Sequence, residues 1–408
     1  MKLDLDFVRK QFPSFAESSL QNTAHFENAG GSYMCAQTMS LLDGYYRRCR
    51  VQPYHSSPAA QEAGAAMDAS YHALAPYLNI SADEVYFGPS TSQNTYMLSN
   101  AVWGILKQGD EIIVTNQDHE ANSGVWRKLS ERGVVVREWK VDPQTGSLEL
   151  PVLKSLLSEK TKLVIFPHCS NILGEINPVQ NICRLVHKVG AKAIVDGVSF
   201  AGHGLPDVDA LGADIYLFSL YKVFGPHQGV MVIRRGMANL LANQSHYFNA
   251  DVRDKRLLPA GPDHAQIATA QGVSHYFDAL YQHHFSTDCD KIQQADAVRN
   301  LLHEAELETL KKLLDYLNQH PKVRIVGPTE AANRAPTISI IPVGQTPQSL
   351  VQRLGEMGIM AGAGHFYSTR LLGAMGINVD TGVARFSMVH YNSMADVDLL
   401  ISSLEQIL

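Results

Sequence analysis

The chain has no apolar run near the roughly 18–20 residues that a membrane-spanning helix requires, so no membrane partner is expected. It also has no CxxC pair. Its five cysteines, Cys35, Cys49, Cys169, Cys183 and Cys289, are odd in number and irregularly spaced. Neither a disulfide framework nor a structural zinc site is therefore expected, and no metal is assigned. Basic excess is absent too: the net charge is −6, which argues against a nucleic-acid partner. No GxGxxG follows a strand with an acidic residue further on, so a dinucleotide-dependent dehydrogenase is disfavoured. There is no internal repeat and no low-complexity linker. The opening Met1-Lys2-Leu3-Asp4-Leu5-Asp6 is too acidic and too weakly apolar for a signal peptide, and a reduced, cytoplasmic setting is the expectation.

What is present is the texture of an ordinary folded protein. A length of 408 residues exceeds what one compact core usually organises, so two domains are expected. From about residue 60 to 235, helical stretches alternate with short apolar runs. Glu111–Thr115, Leu163–Phe166, Ala193–Val195 and Ile215–Phe218 read as strands, nearly continuous in apolar and β-branched residues, as strands covered on both faces are. Helical segments lie between them, Val179 to Val189 for example. The pattern predicts an α/β fold with a mostly parallel sheet between helices. After about residue 285 the texture changes. Ala297 to Leu317 reads as a long amphipathic helix, Thr337–Ile341 and Val383–Val389 as strands, and Ser393-Met394-Ala395-Asp396 as the capped start of a final helix. The expected division is a large α/β/α domain over 21–280 and a smaller α+β domain built from 1–20 and 281–408.

Chemistry-bearing residues follow the predicted strands. Lys222 comes just after the strand that ends near Phe218. The carboxyl ends of strands border the ligand crevice in such sheets, where burial lowers a lysine's pKa and makes its amine a nucleophile. A solvated strand-end lysine is the alternative. Asp196 ends the Ala193–Val195 run; a carboxylate buried there needs a partner, such as the protonated pyridine nitrogen of pyridoxal phosphate, unless it is a helix cap or turn residue. Gly88-Pro89-Ser90-Thr91-Ser92 stands between a strand and a helix, a setting for phosphate or for a simple cap. His119 follows the Glu111–Thr115 strand, where an imidazole could stack on a flat cofactor, and Asn171 follows Leu163–Phe166. All would converge on one sheet edge, which favours a shared site over separate structural roles.

In order and wording these segments resemble the class V aminotransferase, or cysteine desulfurase-like, group of fold type I pyridoxal-phosphate enzymes. The match runs from Phe26-Glu27-Asn28-Ala29-Gly30-Gly31 to the last helix. It is most specific at Asp118-His119-Glu120-Ala121-Asn122, Ser170-Asn171-Ile172-Leu173-Gly174, Val195-Asp196-Gly197 and Phe218 through Lys222 with Gly225-Pro226. The resemblance implies pyridoxal 5′-phosphate as cofactor and Lys222 as its Schiff-base lysine. It implies Asp196 at the pyridine nitrogen, His119 stacked on the ring, and Asn171 and Ser199 near the ring oxygen. Thr91, Ser92, Ser219 and Tyr221 would bind phosphate. Arg385 would fix the substrate carboxylate, with His55 and Asn28 on the substrate side. A homodimer is implied as well.

The departures bear on activity. Ser199 stands where many relatives have glutamine. Gly261, in Pro259-Ala260-Gly261-Pro262-Asp263-His264, stands where some relatives present a threonine to the partner's phosphate. Desulfurases carry a catalytic cysteine in the loop before the carboxylate arginine; here that loop is Ala361-Gly362-Ala363-Gly364-His365-Phe366-Tyr367-Ser368, and no cysteine follows Cys289. The expectation is an enzyme that forms an external aldimine with an amino acid and removes its Cα proton on Lys222, as a transaminase or a C–S or β-lyase without a persulfide. An epimerase, a true desulfurase or selenocysteine lyase, and a non-catalytic binding protein are the alternatives. Retention of Lys222 and Asp196 speaks against the last.

Overall fold

The structure is a computed structural model that describes residues 2–259, 261–332 and 334–408. Ala260, within the stretch that carries Gly261, lies outside the described residues. A seven-stranded sheet runs in the order Val85–Gly88, Gly229–Ile233, Ile215–Ser219, Lys192–Asp196, Thr161–Pro167, Glu111–Thr115, Val135–Trp139. Only Gly229–Ile233 runs antiparallel to its neighbours; the other pairs are parallel. Alternate side chains feed two cores. Val164, Phe166, Val195 and Phe218 join the core on one face, and Leu163, Ile165, Ile194 and Leu217 join the other. The near-continuous apolar runs follow from this: a strand covered on both faces has no solvent side for polar residues.

A four-stranded antiparallel sheet, Gly362–Gly364, Val383–Ser387, Thr337–Pro342, Val323–Val326 in that order, belongs to the C-terminal region. The expected strand at Val383–Val389 stops at Ser387, where Met388 and Val389 leave the ladder while staying buried. The helix expected over 297–317 extends over Lys291–Gln319, with Asp290 as its N-cap. Near the N-terminus, Arg9 donates to the Tyr391 carbonyl and pairs with Asp396. Ala24 and His25 pair in parallel with Ile359 and Met360. We propose the two-domain division on this pattern of sheets, with the N-terminal limit of the large unit moved to about residue 28 because of that pairing.

The final helix, Met394–Ile407, begins as its sequence predicts. The Ser393 hydroxyl accepts from the Asp396 N–H at 3.0 Å, and the Asp396 carboxylate accepts from the Ser393 N–H at 2.8 Å. Replacing Ser393 by Ala removes one half of this reciprocal cap and is expected to lower stability by about 1 kcal/mol, read as a lower denaturation midpoint with unchanged catalytic constants.

Candidate active site

Every parallel strand ends on the same edge of the large sheet, and the loops there enclose a cavity of about 290 Å³. Thr91, Ser92, His119, Asn171, Asp196, Ser199, Ser219, Tyr221 and Lys222 all line it. The predicted cofactor residues are thus brought together by a single geometric fact, the common direction of the strands.

One end of the cavity is rich in hydroxyls. Thr91 begins the helix Thr91–Ala101, whose N-cap Ser90 accepts from the Gln93 N–H. Thr91 Oγ1 and Ser219 Oγ lie 2.7 Å apart. Free helix N–H groups, positive end of the dipole and hydroxyls together make an anion site. Gly229 allows this cap to sit against the antiparallel strand, since a Cβ there would lie 2.5 Å from the Ser90 carbonyl carbon.

At the end of Lys192–Asp196 the Asp196 carboxylate accepts from the Val198 N–H at 2.8 Å. Burial pushes its pKa up to about 6, against the pull of that hydrogen bond and of Lys222. It forms no ion pair within 4.0 Å among the described residues. A buried carboxylate with so little cationic company is a receptor for a bound positive group. Burial also lowers the Lys222 amine to about 8, helped by repulsion from Arg385 and opposed by Asp196. The amine is thus half free base near pH 8, where an exposed lysine is almost wholly protonated, which suits a nucleophile and a proton acceptor.

His119 is held in one tautomer. Its Nδ1 accepts from the Ala121 N–H at 3.1 Å, which leaves the ring proton on Nε2. Burial, then Lys222 and Arg385, lower its pKa to about 4, so the imidazole is neutral and presents a flat face. The preceding Asp118 is buried and accepts from Asn122 Nδ2 at 2.8 Å and from the Thr115 hydroxyl, which fixes the turn.

Arg385, fully inside the protein, does not line the cavity but lies behind Asn171, donating from Nη1 to the Asn171 carbonyl at 3.1 Å. Its Nε has no partner and it makes no ion pair among the described residues. Burial lowers its pKa to about 10, with Glu27 opposing. The ring of Phe366 covers its guanidinium, with Cζ 3.7 Å from the centroid. Phe366 belongs to the cysteine-free loop, and both Phe366 and Tyr367 adopt left-handed backbone at φ 45° and 58°, a conformation unfavourable for bulky residues. Hydrogen bonds hold them there. Asn171 Nδ2 donates to the Phe366 carbonyl at 3.0 Å, Ser368 Oγ donates to Asn171 Oδ1 at 2.7 Å, and the Glu120 N–H donates to the Tyr367 carbonyl at 2.7 Å. Arg370 pairs with Glu120 through both carboxylate oxygens.

The remaining predicted residues are placed differently. His55 is exposed in the turn before the helix Pro58–Leu74, and the single chain does not bring it to the cavity. Asn28 is buried and occupied: its Nδ2 donates to the carbonyls of His25 and Ser387, and its Oδ1 accepts from Tyr391. It does border a small cavity shared with Lys222. Sequence reasoning missed His227, which lines the main cavity and stacks on Tyr221 at 4.7 Å with planes 4° apart. Its position directly after the Gly225-Pro226 turn was the available signal. It also missed Cys169, which lines the cavity.

Comparison with known proteins agrees in extent. The family model described as aminotransferase class-V matches residues 24–252 and 289–400. An aminotransferase-like protein of Gibberella zeae is 35% identical over 99% of this chain and 98% of its own length. A cysteine desulfurase of Synechococcus elongatus is 30% identical over 99% of this chain, which spans 64% of that protein. Among solved structures, a cysteine desulfurase of Thermococcus onnurineus superposes with a TM-score of 0.84 at 22% identity, over 100% of this chain and 98% of that one; this likeness is one of fold.

Proposed function

The chain belongs to the class V aminotransferase family, and on that premise we propose that it takes an α-amino acid and removes its Cα proton on Lys222, without a persulfide-forming cysteine. It is an enzyme of fold type I, and pyridoxal phosphate is the family's cofactor. The residues present fit that group. The Asp196 carboxylate without an ion-pair partner suits a pyridinium, the Thr91–Ser219 hydroxyls at a helix N-terminus suit a phosphate, and the neutral His119 suits a ring face. The observation that carries the reading is Lys222, with its amine lowered to about 8, in the same cavity as Asp196.

When bound, pyridoxal phosphate supplies a carbonyl for the substrate amine and an electron sink for the pair left on Cα. The protein's part is positional. Asp196 would hold the ring nitrogen in its protonated form by pairing with it. Arg385, set behind the cavity wall at Asn171, would take the substrate carboxylate on its unpartnered Nε edge, the geometry of two parallel N–H···O bonds, after a side-chain movement that brings that edge to the cavity. Lys222, as free base, accepts the Cα proton and holds it for delivery. Phe366 keeps water off the guanidinium, which strengthens its hold on an anion. In Phe366→Ala the aromatic cover worth about 0.5–2 kcal/mol is lost. The expected result is a KM raised roughly threefold to tenfold with kcat changed less than about twofold, measured in steady state.

The absence of a persulfide rests on what the site's thiol can do. Cys169 is buried, donates to the carbonyls of Ser170 and Gly174, and burial pushes its pKa up to about 12. Such a thiol supplies almost no thiolate at neutral pH. This favours transamination or C–S and β-elimination over sulfur transfer. The deciding experiment presents single L-amino acids to the holoenzyme and assays keto acid, pyruvate and sulfide. Mass spectrometry of the chain after cysteine turnover checks for persulfide, and a protein-bound persulfide would overturn the reading. The remaining alternative outcome, reprotonation of Cα on the opposite face, would appear as racemised substrate.

We also propose that the working form is a homodimer, with the Gly261 backbone facing the partner's phosphate site, and that it acts in the cytoplasm. The second point is supported by free cysteines at all five positions.

A further inference from the structure

Glu306 breaks the pattern of its helix. On Lys291–Gln319 the inward face carries Leu302, Leu310 and Leu313, yet Glu306 occupies the same face at 2% exposure. One oxygen, Oε2, meets His203 Nδ1 at 3.0 Å, and the other, Oε1, has no partner. Buried carboxylates with an unsatisfied oxygen are rare enough to call for a role.

His203 stands at a wall between two cavities. On one side is a cavity of about 20 Å³ bounded by Lys222, Ser199 and His203, enough for one water molecule. On the other is a cavity of about 210 Å³ bounded by His203, Glu306, His303, Arg299 and Arg334. The segment that carries His203 touches the lysine's own backbone: a Cβ on Gly202 would lie 2.5 Å from the Lys222 carbonyl oxygen. Since His203 Nδ1 is engaged by Glu306, Nε2 is the nitrogen left without a protein partner among the described residues. The other charged groups near the dyad have partners of their own or open to the larger cavity. Arg299 is held by the Leu205 carbonyl and Asp296, Arg334 by the carbonyls of Leu173 and Thr337, and His390 by Tyr276.

We propose that His203 and Glu306 form a proton relay between Lys222 and solvent, passing through the small cavity. It rests on the reading of Lys222 as the Cα base. Each transfer moves one proton and no net electrons. An N–H bond at the Lys222 ammonium breaks as an O–H bond forms on the water, and the water gives its own proton to His203 Nε2. The imidazolium then releases its Nδ1 proton to Glu306, which returns it to solvent through the larger cavity. The net result is a neutral Lys222, one proton in bulk water and His203 with its proton on Nε2 in place of Nδ1, a tautomer that must revert before the next transfer. His203 and Glu306 act through the lysine and are positioning and relay residues, not groups that touch substrate.

Two measurements on holoenzyme test this. The first follows hydrogen exchange at Cα of a mixture of proteinogenic L-amino acids in D₂O by NMR. The second needs no substrate: a stopped-flow pH jump followed by the cofactor's absorption. In His203→Ala and Glu306→Gln both rates are expected to fall roughly tenfold or more, and free imidazole is expected to restore them in His203→Ala, with the cofactor band unchanged at equilibrium. Rates equal to wild type overturn the relay. So do slow rates that imidazole does not restore, which mark a structural pair. If wild type exchanges no amino acid while its pH-jump rate is normal, the functional reading and this inference fall together; if wild type exchanges and the variants match it, only the relay falls.

Discussion

Holoenzyme carrying Lys222→Ala is expected to lose the borohydride-reducible link to the cofactor and to turn over its substrate on the order of 10⁴-fold more slowly. Two functions leave with one amine. In the proposed function the amine is the covalent attachment point and, once released, the proton acceptor for Cα. No other described residue lining the cavity is a lysine, and His119, with its pKa lowered to about 4 and its proton on Nε2, is a poor substitute base. The pH dependence follows from the value of about 8 for Lys222. Below it the ammonium dominates, and the reactive free base falls about tenfold per pH unit. The rate at which wild-type apoenzyme captures free pyridoxal phosphate should therefore climb with pH and level off above about 8. An apparent pKa near that of exposed lysine, about 10.4, would show that the amine is not desolvated. Persistence of a reducible link at the same peptide in Lys222→Ala would remove the lysine from its assigned role.

The sheet was legible because physics leaves it few alternatives. A run such as Leu163–Phe166 has no solvent face, and its alternate residues do divide between two cores. The direction of a strand is less visible: Gly229–Ile233 is as apolar as its neighbours but antiparallel, and nothing in its composition reports this. Residues at strand ends were found because the backbone alone places them. Residues whose role depends on tertiary contacts were not. Phe366 reads as one aromatic in a loop until its ring is seen on Arg385. Glu306 reads as one more charge on an amphipathic helix, since a single acid within a leucine-rich stretch barely disturbs the period. Asn28 was read as facing substrate, yet its amide is consumed by His25, Ser387 and Tyr391. His55 lies in an exposed turn whose neighbours the single chain does not supply.

Asp196→Asn is the change for which stability and activity should move in opposite directions. Burial raises the Asp196 carboxyl from its ordinary 3.8 to about 6. The folded protein therefore holds a proton between pH 3.8 and 6 that the unfolded chain has released. Raising the pH through that window costs stability, and above it the buried charge costs apoprotein roughly 3 kcal/mol. Asparagine keeps the oxygen that accepts from the Val198 N–H and removes the charge. Apo Asp196→Asn should thus melt higher at pH 7.5, by about 3 °C for a chain of this size, and show no advantage at pH 3.5. With cofactor bound the balance is expected to reverse, because in the proposed function the charge that burdens the apoprotein pairs with a protonated ring nitrogen. The asparagine variant cannot keep that proton in place, and kcat is expected to fall about 10²–10³-fold with weaker cofactor retention. A variant whose apoprotein is less stable than wild type at pH 7.5 would show that Asp196 already has a cationic partner in the empty site. A variant with unchanged kcat would show that the ring nitrogen is held by something else.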